Sequence, residues 1–124
     1  MFIKLLFFTL TCFFSLKGII MNNIVVNGSY GGFGLSPLAL SWLRERGHEL
    51  SEHGWDEEND CYFPRHHPAL VECVEVLGDE ANAESADLGI TEIEGNRYII
   101  KEYDGHEIVQ TPKTFSWVVI GGEE

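Results

Sequence analysis

The sequence is poor in basic residues, with 8 Lys and Arg against 20 Asp and Glu among its 124 residues and a formal net charge of −12. Proteins bind a nucleic-acid backbone through Lys and Arg side chains that displace counterions from the phosphates. This chain offers few of them, and its net charge gives a field of the wrong sign. We therefore exclude nucleic acid as the primary ligand and expect a single acidic domain.

Long apolar runs are also lacking. The most apolar segment is residues 5–16, between Lys4 and Lys17, which is too short to cross a bilayer and has the length of a signal-peptide core. No small-residue cleavage site follows Leu16. We therefore expect no stable membrane span. We interpret residues 1–20 as an upstream extension before a functional start at Met21, and a genuine signal or anchor segment is the alternative.

Cysteine is scarce as well, since only Cys61 and Cys73 follow Met21. With 44% hydrophobic and 12% aromatic residues, the chain can bury a core without a disulfide. Cys73 lies on the apolar face of a predicted helix, so we expect a buried thiol. Nothing in the sequence indicates an orienting partner for a cysteine nucleophile.

We take residues 21–120 as one domain, followed by an acidic tail of residues 121–124. Local sequence signals predict the helices and strands of this domain. A strand is predicted at Ile24–Asn27, followed by a glycine-rich loop. Ser36 and Pro37 are typical of the N-cap and first position of a helix that runs to about Arg46. A second helix is predicted from Pro68, and Gly78 is a point where it can end. Its apolar stripe consists of Leu70, Val74, Leu77 and Ala81.

The remaining elements are strands. Three runs, separated by Gly95-Asn96 and Asp104-Gly105, predict an antiparallel meander, and Asp-Gly is a strong hairpin signal. The runs are Ile90–Glu94, Tyr98–Tyr103 and His106–Gln110, and residues 115–120 could add a last strand. The predicted fold class is α+β, with a β-α-α-β-β-β order and two helices packed on one face of the meander sheet.

The glycine-rich loop is the candidate ligand site. A strand that leads through glycines into a helix start can offer free backbone N–H groups and a positive dipole end to an anion. It matches neither a P-loop nor a dinucleotide fingerprint, so the glycines could instead serve a tight turn and close packing. Arg65 could meet such an anion or pair with Asp60. The predicted ligand-binding residues are Ser29, Tyr30, Gly31, Gly32, Phe33, Gly34, Ser36 and Arg65.

Residues 48–67 form a long polar segment rich in His, Asp and Glu, with one short strand expected around residues 61–63. Its ligand types suit a borderline metal, but the spacings match no zinc pattern. We predict a solvated acidic loop and assign no metal site, no cofactor and no catalytic residue. Histidines in this segment titrate near neutral pH, so binding through them would depend on pH.

Three segments together resemble a family of small uncharacterised proteins of tailed bacteriophages and prophages. They are Ile24-Val-Val-Asn-Gly-Ser-Tyr-Gly-Gly-Phe-Gly-Leu-Ser36, Arg65-His-His-Pro-Ala-Leu-Val-Glu72 and Tyr103-Asp-Gly-His-Glu107. The likeness covers roughly residues 21–110. The family pattern tends to have Asp where His67 stands, which predicts a weaker acidic N-cap here. Members begin near the equivalent of Met21, and the resemblance implies a phage setting without implying an activity.

The leading hypothesis is a non-enzymatic phage accessory protein that binds a host protein or a small anionic ligand in the host cytoplasm. One alternative is an enzyme acting on nucleotides or phosphate esters, with the glycine loop as anion cradle. Asp60, His66 or His67 would then be its acid or base. Another alternative is a secreted or membrane-anchored protein, if residues 1–20 are a true signal. The sequence leaves the oligomeric state open.

Overall fold

The computed structural model describes residues 20–114, 118 and 120–122. The predicted leader and last strand lie outside this description except for Ile20, Val118 and Ile120. The described elements confirm the α+β class and add a small hairpin in the polar segment. They are β1 Met21–Asn27, α1 Pro37–Arg44, β2 Trp55–Asp56, β3 Cys61–Tyr62, α2 Pro68–Leu77, β4 Leu88–Glu94, β5 Ile99–Tyr103 and β6 His106–Gln110, with 3-10 turns at Gly78–Ala81 and Ile120–Gly122.

Both helices begin where the sequence predicts. Ser36 is the N-cap of α1, and its Oγ accepts from the backbone N of Ala39 at 3.1 Å. His67 is the N-cap of α2, whose regular part ends at Leu77 as the position of Gly78 predicts. Gly78 has a positive φ of 58°, which favours glycine over residues with a Cβ. These boundaries follow from capping chemistry within a few residues of each helix end.

The strands within the described residues form three two-stranded antiparallel sheets, so the predicted single meander is wrong about which strands pair. Strand β4 pairs with β1, in a register from Met21 opposite Glu94 to Asn27 opposite Leu88. The other two pairs are β2 with β3 and β5 with β6. Strand β1 also begins three residues before the predicted Ile24, because its first residues complete the ladder with β4.

The two turns in the strand region explain this difference. At the β5–β6 turn, Asp104 and Gly105 both have positive φ, 53° and 94°, as a type I′ hairpin requires. At the end of β4 only Gly95 has a positive φ. The N–H of Gly95 donates to the carbonyl of Ile20. This bond extends the β1–β4 ladder, so the chain does not form a tight hairpin from β4 into β5.

The core lies between one face of the β1–β4 sheet and the two helices. On one face, Val25 and Leu88 pack with the apolar sides of α1 and α2. The fully or nearly fully buried members of this core include Leu35, Ala39, Leu43, Leu70, Cys73, Val74 and Ala81. Burying one leucine side chain contributes roughly 1.5–3 kcal/mol. The opposite face holds Ile24 and Ile93, which line a cavity of about 170 Å³ with His66 and Tyr98.

Candidate functional site

The glycine-rich loop packs tightly against a neighbouring loop of residues 83–87. Ser29 Oγ donates to the carbonyl of Ser85 at 2.5 Å, and the backbone N of Gly31 donates to Ser29 Oγ at 3.2 Å. A Cβ added to Gly31 would overlap Ser85, and one on Gly34 would lie 2.8 Å from the Cβ of Ala83. At these two positions glycine is therefore needed for close approach of the two loops.

The hydroxyl and backbone N–H of Ser36 are both used in hydrogen bonds within the protein, so neither is free to bind a ligand. Its Oγ accepts from Ala39 and donates to the carbonyl of Glu80 at 2.6 Å, while its backbone N donates to the carbonyl of Ala81. The next N–H towards the loop, that of Leu35, donates to the carbonyl of Glu52. These hydrogen bonds join the start of α1 to the 3-10 turn that follows α2 and to the polar segment.

Arg65 forms a largely buried two-point ion pair with Glu107 on β6. Its Nη1 and Nη2 lie 2.6 and 2.9 Å from the two carboxylate oxygens, and Nη1 also donates to the carbonyl of Val25 at 3.2 Å. The guanidinium lies 3.7 Å above the ring centre of Phe33, in cation–π contact. The expected pairing of Arg65 with Asp60 is therefore wrong, and no local sequence signal indicates Glu107 as the partner.

Asn27, at the end of β1, connects the same three segments. Its Nδ2 donates to the carbonyls of Gly105 and Ser29, and its Oδ1 accepts from the backbone N of Asp87. Its backbone N donates to a carboxylate oxygen of Glu107 at 2.9 Å. Asn27 is fully buried, and its backbone N and both polar atoms of its side chain have partners. A buried asparagine at the end of an apolar strand is the one sequence signal that could have indicated this network.

We call these groups the clamp: Asn27, Phe33, Arg65, Gly105 and Glu107. They come from the three segments on which the phage-family resemblance depends. The fold brings them into one cluster, in which Asn27, Gly105 and Glu107 are buried and Phe33 and Arg65 are partly buried. A Cβ on Gly105 would lie 2.6 Å from the backbone of Tyr30 and Gly32. The clamp therefore fixes the glycine loop against the β5–β6 turn.

A shallow groove of about 210 Å³ runs beside the loop, lined by residues 31–34, 52–53 and 83–86. Two of its lining side chains are the acids Glu52 and Glu84. The Nδ1 of His53 lies 3.4 Å from the carbonyl of Phe33. Arg65, Asp60, His66 and His67 are not among the lining residues, so the structure does not assemble the predicted acid, base and anion-binding groups around it.

The outward side of the β5–β6 hairpin carries aromatic and aliphatic side chains together with the exposed Lys101. Tyr103 lies opposite His106 in the register, and Lys101 lies opposite Ile108, so these side chains share one face. Tyr30 of the glycine loop stacks on His106, with ring centres 5.4 Å apart. We call this surface the tyrosine face: Tyr30, Ile99, Tyr103, His106 and Ile108, of which Tyr103 is 78% and Tyr30 66% exposed.

The histidines of the polar segment are engaged within the protein. His66 Nδ1 lies 2.7 Å from the hydroxyl of Tyr98, and burial raises the pKa of Tyr98. Hydrogen bonds from Asn59 lower the pKa of Asp56. Among the described residues, no group of three or more His, Cys, Asp or Glu side chains is arranged to hold a metal ion.

Cys73 is buried against α1, and burial raises its thiol pKa to about 11. The predicted buried thiol is confirmed. A thiol with this pKa is protonated at neutral pH and is a poor nucleophile.

Comparison with known protein families, with curated proteins and with solved structures finds no match to this chain. Over the described residues, no helix combines the length and apolar character needed to cross a bilayer.

Proposed function

We propose that the protein is a non-enzymatic accessory module of phage type that binds a host protein through the tyrosine face. The observation that carries this proposal is the exposure of Tyr30, Tyr103 and Ile108 on one surface, which His106 joins by pairing with Tyr103 and stacking on Tyr30. Tyrosine is enriched at protein interfaces because its ring supplies apolar area and its hydroxyl supplies a hydrogen bond. A truncation at the centre of such a surface can remove much of the binding energy.

The clamp supports the proposal because it holds this surface in one conformation before a partner arrives. Glu107 faces inward from β6 towards Arg65, while its neighbours His106 and Ile108 face outward. Gly105 joins the turn of the hairpin to the loop that carries Tyr30. A preorganised surface loses less conformational freedom on binding, which favours affinity.

The charge of the molecule indicates the chemistry of the partner. A net charge of −12 steers cationic surfaces towards the protein and opposes association of two copies of the chain. Asp104 lies in the hairpin turn beside Tyr103, and both are exposed. We therefore infer a host protein with a basic surface around an apolar centre, in the host cytoplasm.

The geometry favours this function over a small anionic ligand. An anion in the groove beside the glycine loop would face Glu52 and Glu84. Arg65, the cation proposed to meet it, already has its charge balanced by Glu107. The glycines at positions 31 and 34 are explained by close packing of two loops, which is the simpler of the two interpretations of the motif.

The test compares two exposed tyrosines. Wild-type protein, Tyr103→Ala and Tyr62→Ala are immobilised, and host proteins retained from lysate are quantified by mass spectrometry. Tyr62 is 67% exposed on β3, outside the tyrosine face, and serves as the matched control. We expect a retained protein that Tyr62→Ala keeps and Tyr103→Ala loses. Its purified form should bind Tyr103→Ala at least about tenfold more weakly, as expected for a hot-spot tyrosine.

Two outcomes would contradict the proposal. One is that no protein depends on Tyr103, or that Tyr62→Ala loses the same partner. The other is that the partner is retained equally at low and high salt, which would exclude steering by the acidic charge. Retention of a phosphorylated metabolite in place of a protein would favour the anionic-ligand alternative, and turnover of such a compound would favour the enzyme.

A further inference from the structure

His67 packs in a cluster of rings at the start of α2. Its ring centre lies 4.5 Å from that of Phe63 and 4.9 Å from that of His48, and the rings of His48 and Phe63 are 5.1 Å apart. Phe63 is buried in the core, whereas His48 and His67 are only partly exposed. The imidazole of His67 is therefore held in one position beside the first turn of the helix.

In that position His67 caps the helix. Its Nδ1 accepts a hydrogen bond from the backbone N of Ala69 at 3.0 Å, so Nδ1 carries a lone pair and the ring is neutral with its proton on Nε2. Protonation would convert Nδ1 into a donor that faces the donor N–H of Ala69. It would also place a positive charge at the positive end of the helix dipole.

We propose that His67 is a proton-sensitive cap, which holds the first turn of α2 when its ring is neutral and releases that turn when the ring is protonated. Serine, aspartate and asparagine caps stay acceptors across the neutral range, so this behaviour is specific to a histidine at the N-cap. The proposal concerns stability and does not depend on the protein-binding function proposed above.

The surroundings of His67 also favour the neutral form of its ring. Burial lowers the pKa of His67 below its ordinary value of 6.5, and the positive charges of His48 and His66 lower it further. His48 comes from the segment after α1, and His66 is the preceding residue. Asp56 on β2 also faces His48, and its pKa is lowered mainly by the hydrogen bond from Asn59, with a smaller contribution from the charge of His48.

The sign of the pH dependence follows from this direction. As pH falls, the unfolded chain takes up the proton near 6.5, whereas the folded chain takes it up only at lower pH. Stability is therefore full above about 6.5 and decreases as pH falls below that value, until the folded-state pKa is passed. Asp56 has a pKa below its ordinary 3.8, so its own contribution is lost only in more acidic solution.

The first experiment measures thermal unfolding of the full chain at about pH 7.5 and about pH 5.5. We expect the wild-type Tm to fall by about 5 °C, the size expected for loss of a helix cap in a domain of this length. His67→Asn keeps an uncharged cap and should remove most of the fall. His53→Asn alters an exposed histidine outside the ring cluster, so it should retain the wild-type fall.

The second experiment uses the wild-type protein alone and remains decisive if a variant fails to fold. Imidazole titration by NMR should give His67 a midpoint below its ordinary pKa of 6.5, and hydrogen exchange at the Ala69 amide should accelerate as His67 is protonated. The proposal is overturned if His67 titrates at or above pH 6.5, if exchange of the Ala69 amide does not follow that titration, or if His67→Asn keeps the wild-type pH dependence.

Discussion

The ion pair between Arg65 and Glu107 permits a quantitative test of the clamp. Glu107→Ala removes both oxygens that accept from Arg65, at 2.6 and 2.9 Å, and the oxygen that accepts from the backbone N of Asn27. The two side chains are only 20% and 8% exposed, so water replaces little of what is lost. Removing one partner of a buried pair leaves an uncompensated charge, and we expect a loss of about 3 kcal/mol in the free energy of unfolding.

The assay is urea denaturation at about pH 7, with Tm as a second readout. A loss of 3 kcal/mol corresponds to a fall in Tm of about 15 °C for a domain of about 100 residues. Glu94→Ala is the matched control, because Glu94 pairs with Lys113 at 2.5 Å with exposed side chains of 43% and 76%. That surface pair should contribute less than about 1 kcal/mol.

A double variant separates the pair from its surroundings. Arg65→Met combined with Glu107→Leu replaces two buried charges by apolar groups, and we expect it to be more stable than either single variant. The loss of unfolding free energy in the double variant should differ by at least about 1 kcal/mol from the sum of the losses for Arg65→Met and Glu107→Leu made singly. The reasoning is refuted if Glu107→Ala costs no more than Glu94→Ala, or if the two single effects simply add.

Three further predictions concern the loop, a helix cap and the thiols. Gly31→Ala should destabilise the protein by about 1–3 kcal/mol in urea titrations, because its Cβ has no space, whereas Gly89→Ala should change little because no atom lies within 4 Å of its added Cβ. An equal loss for both would contradict the packing role of the loop. Ser36→Ala should cost about 1 kcal/mol through loss of the N-cap, and Ser36→Asn should recover most of it. At about pH 8 a thiol reagent should modify the exposed Cys61 in the folded protein and modify the buried Cys73 only on unfolding.

Short-range chemistry made several features predictable. Ser36 and Pro37 mark the start of α1, and Gly78 marks the end of the regular part of α2. Asp104 and Gly105 form the predicted two-residue turn, with β5 and β6 on either side. In each case the controlling hydrogen bond or backbone angle involves residues at most a few positions apart, so composition and order were sufficient.

The polar segment and the sheet were predicted less well. The short strand expected around residues 61–63 is confirmed as β3, but its partner β2 was missed because a strand of two residues carries no periodic signal. The partner of β4 was also missed, because period and turn signals identify strands but do not select among possible pairings. Strand β4 pairs with β1 instead of β5, because this pairing buries the apolar face of β1 against the helices.

For the candidate site, the sequence identified the unusual segments but not their arrangement. It marked the glycine loop, Arg65 and the Tyr103–Glu107 turn as distinctive, without showing that they meet. The bonds that join them link residues far apart in the chain, such as Arg65 to Glu107 across 42 positions and Asn27 to Glu107 across 80. Only packing of the whole domain brings such groups together, because burial determines which partner a charged or polar side chain must find.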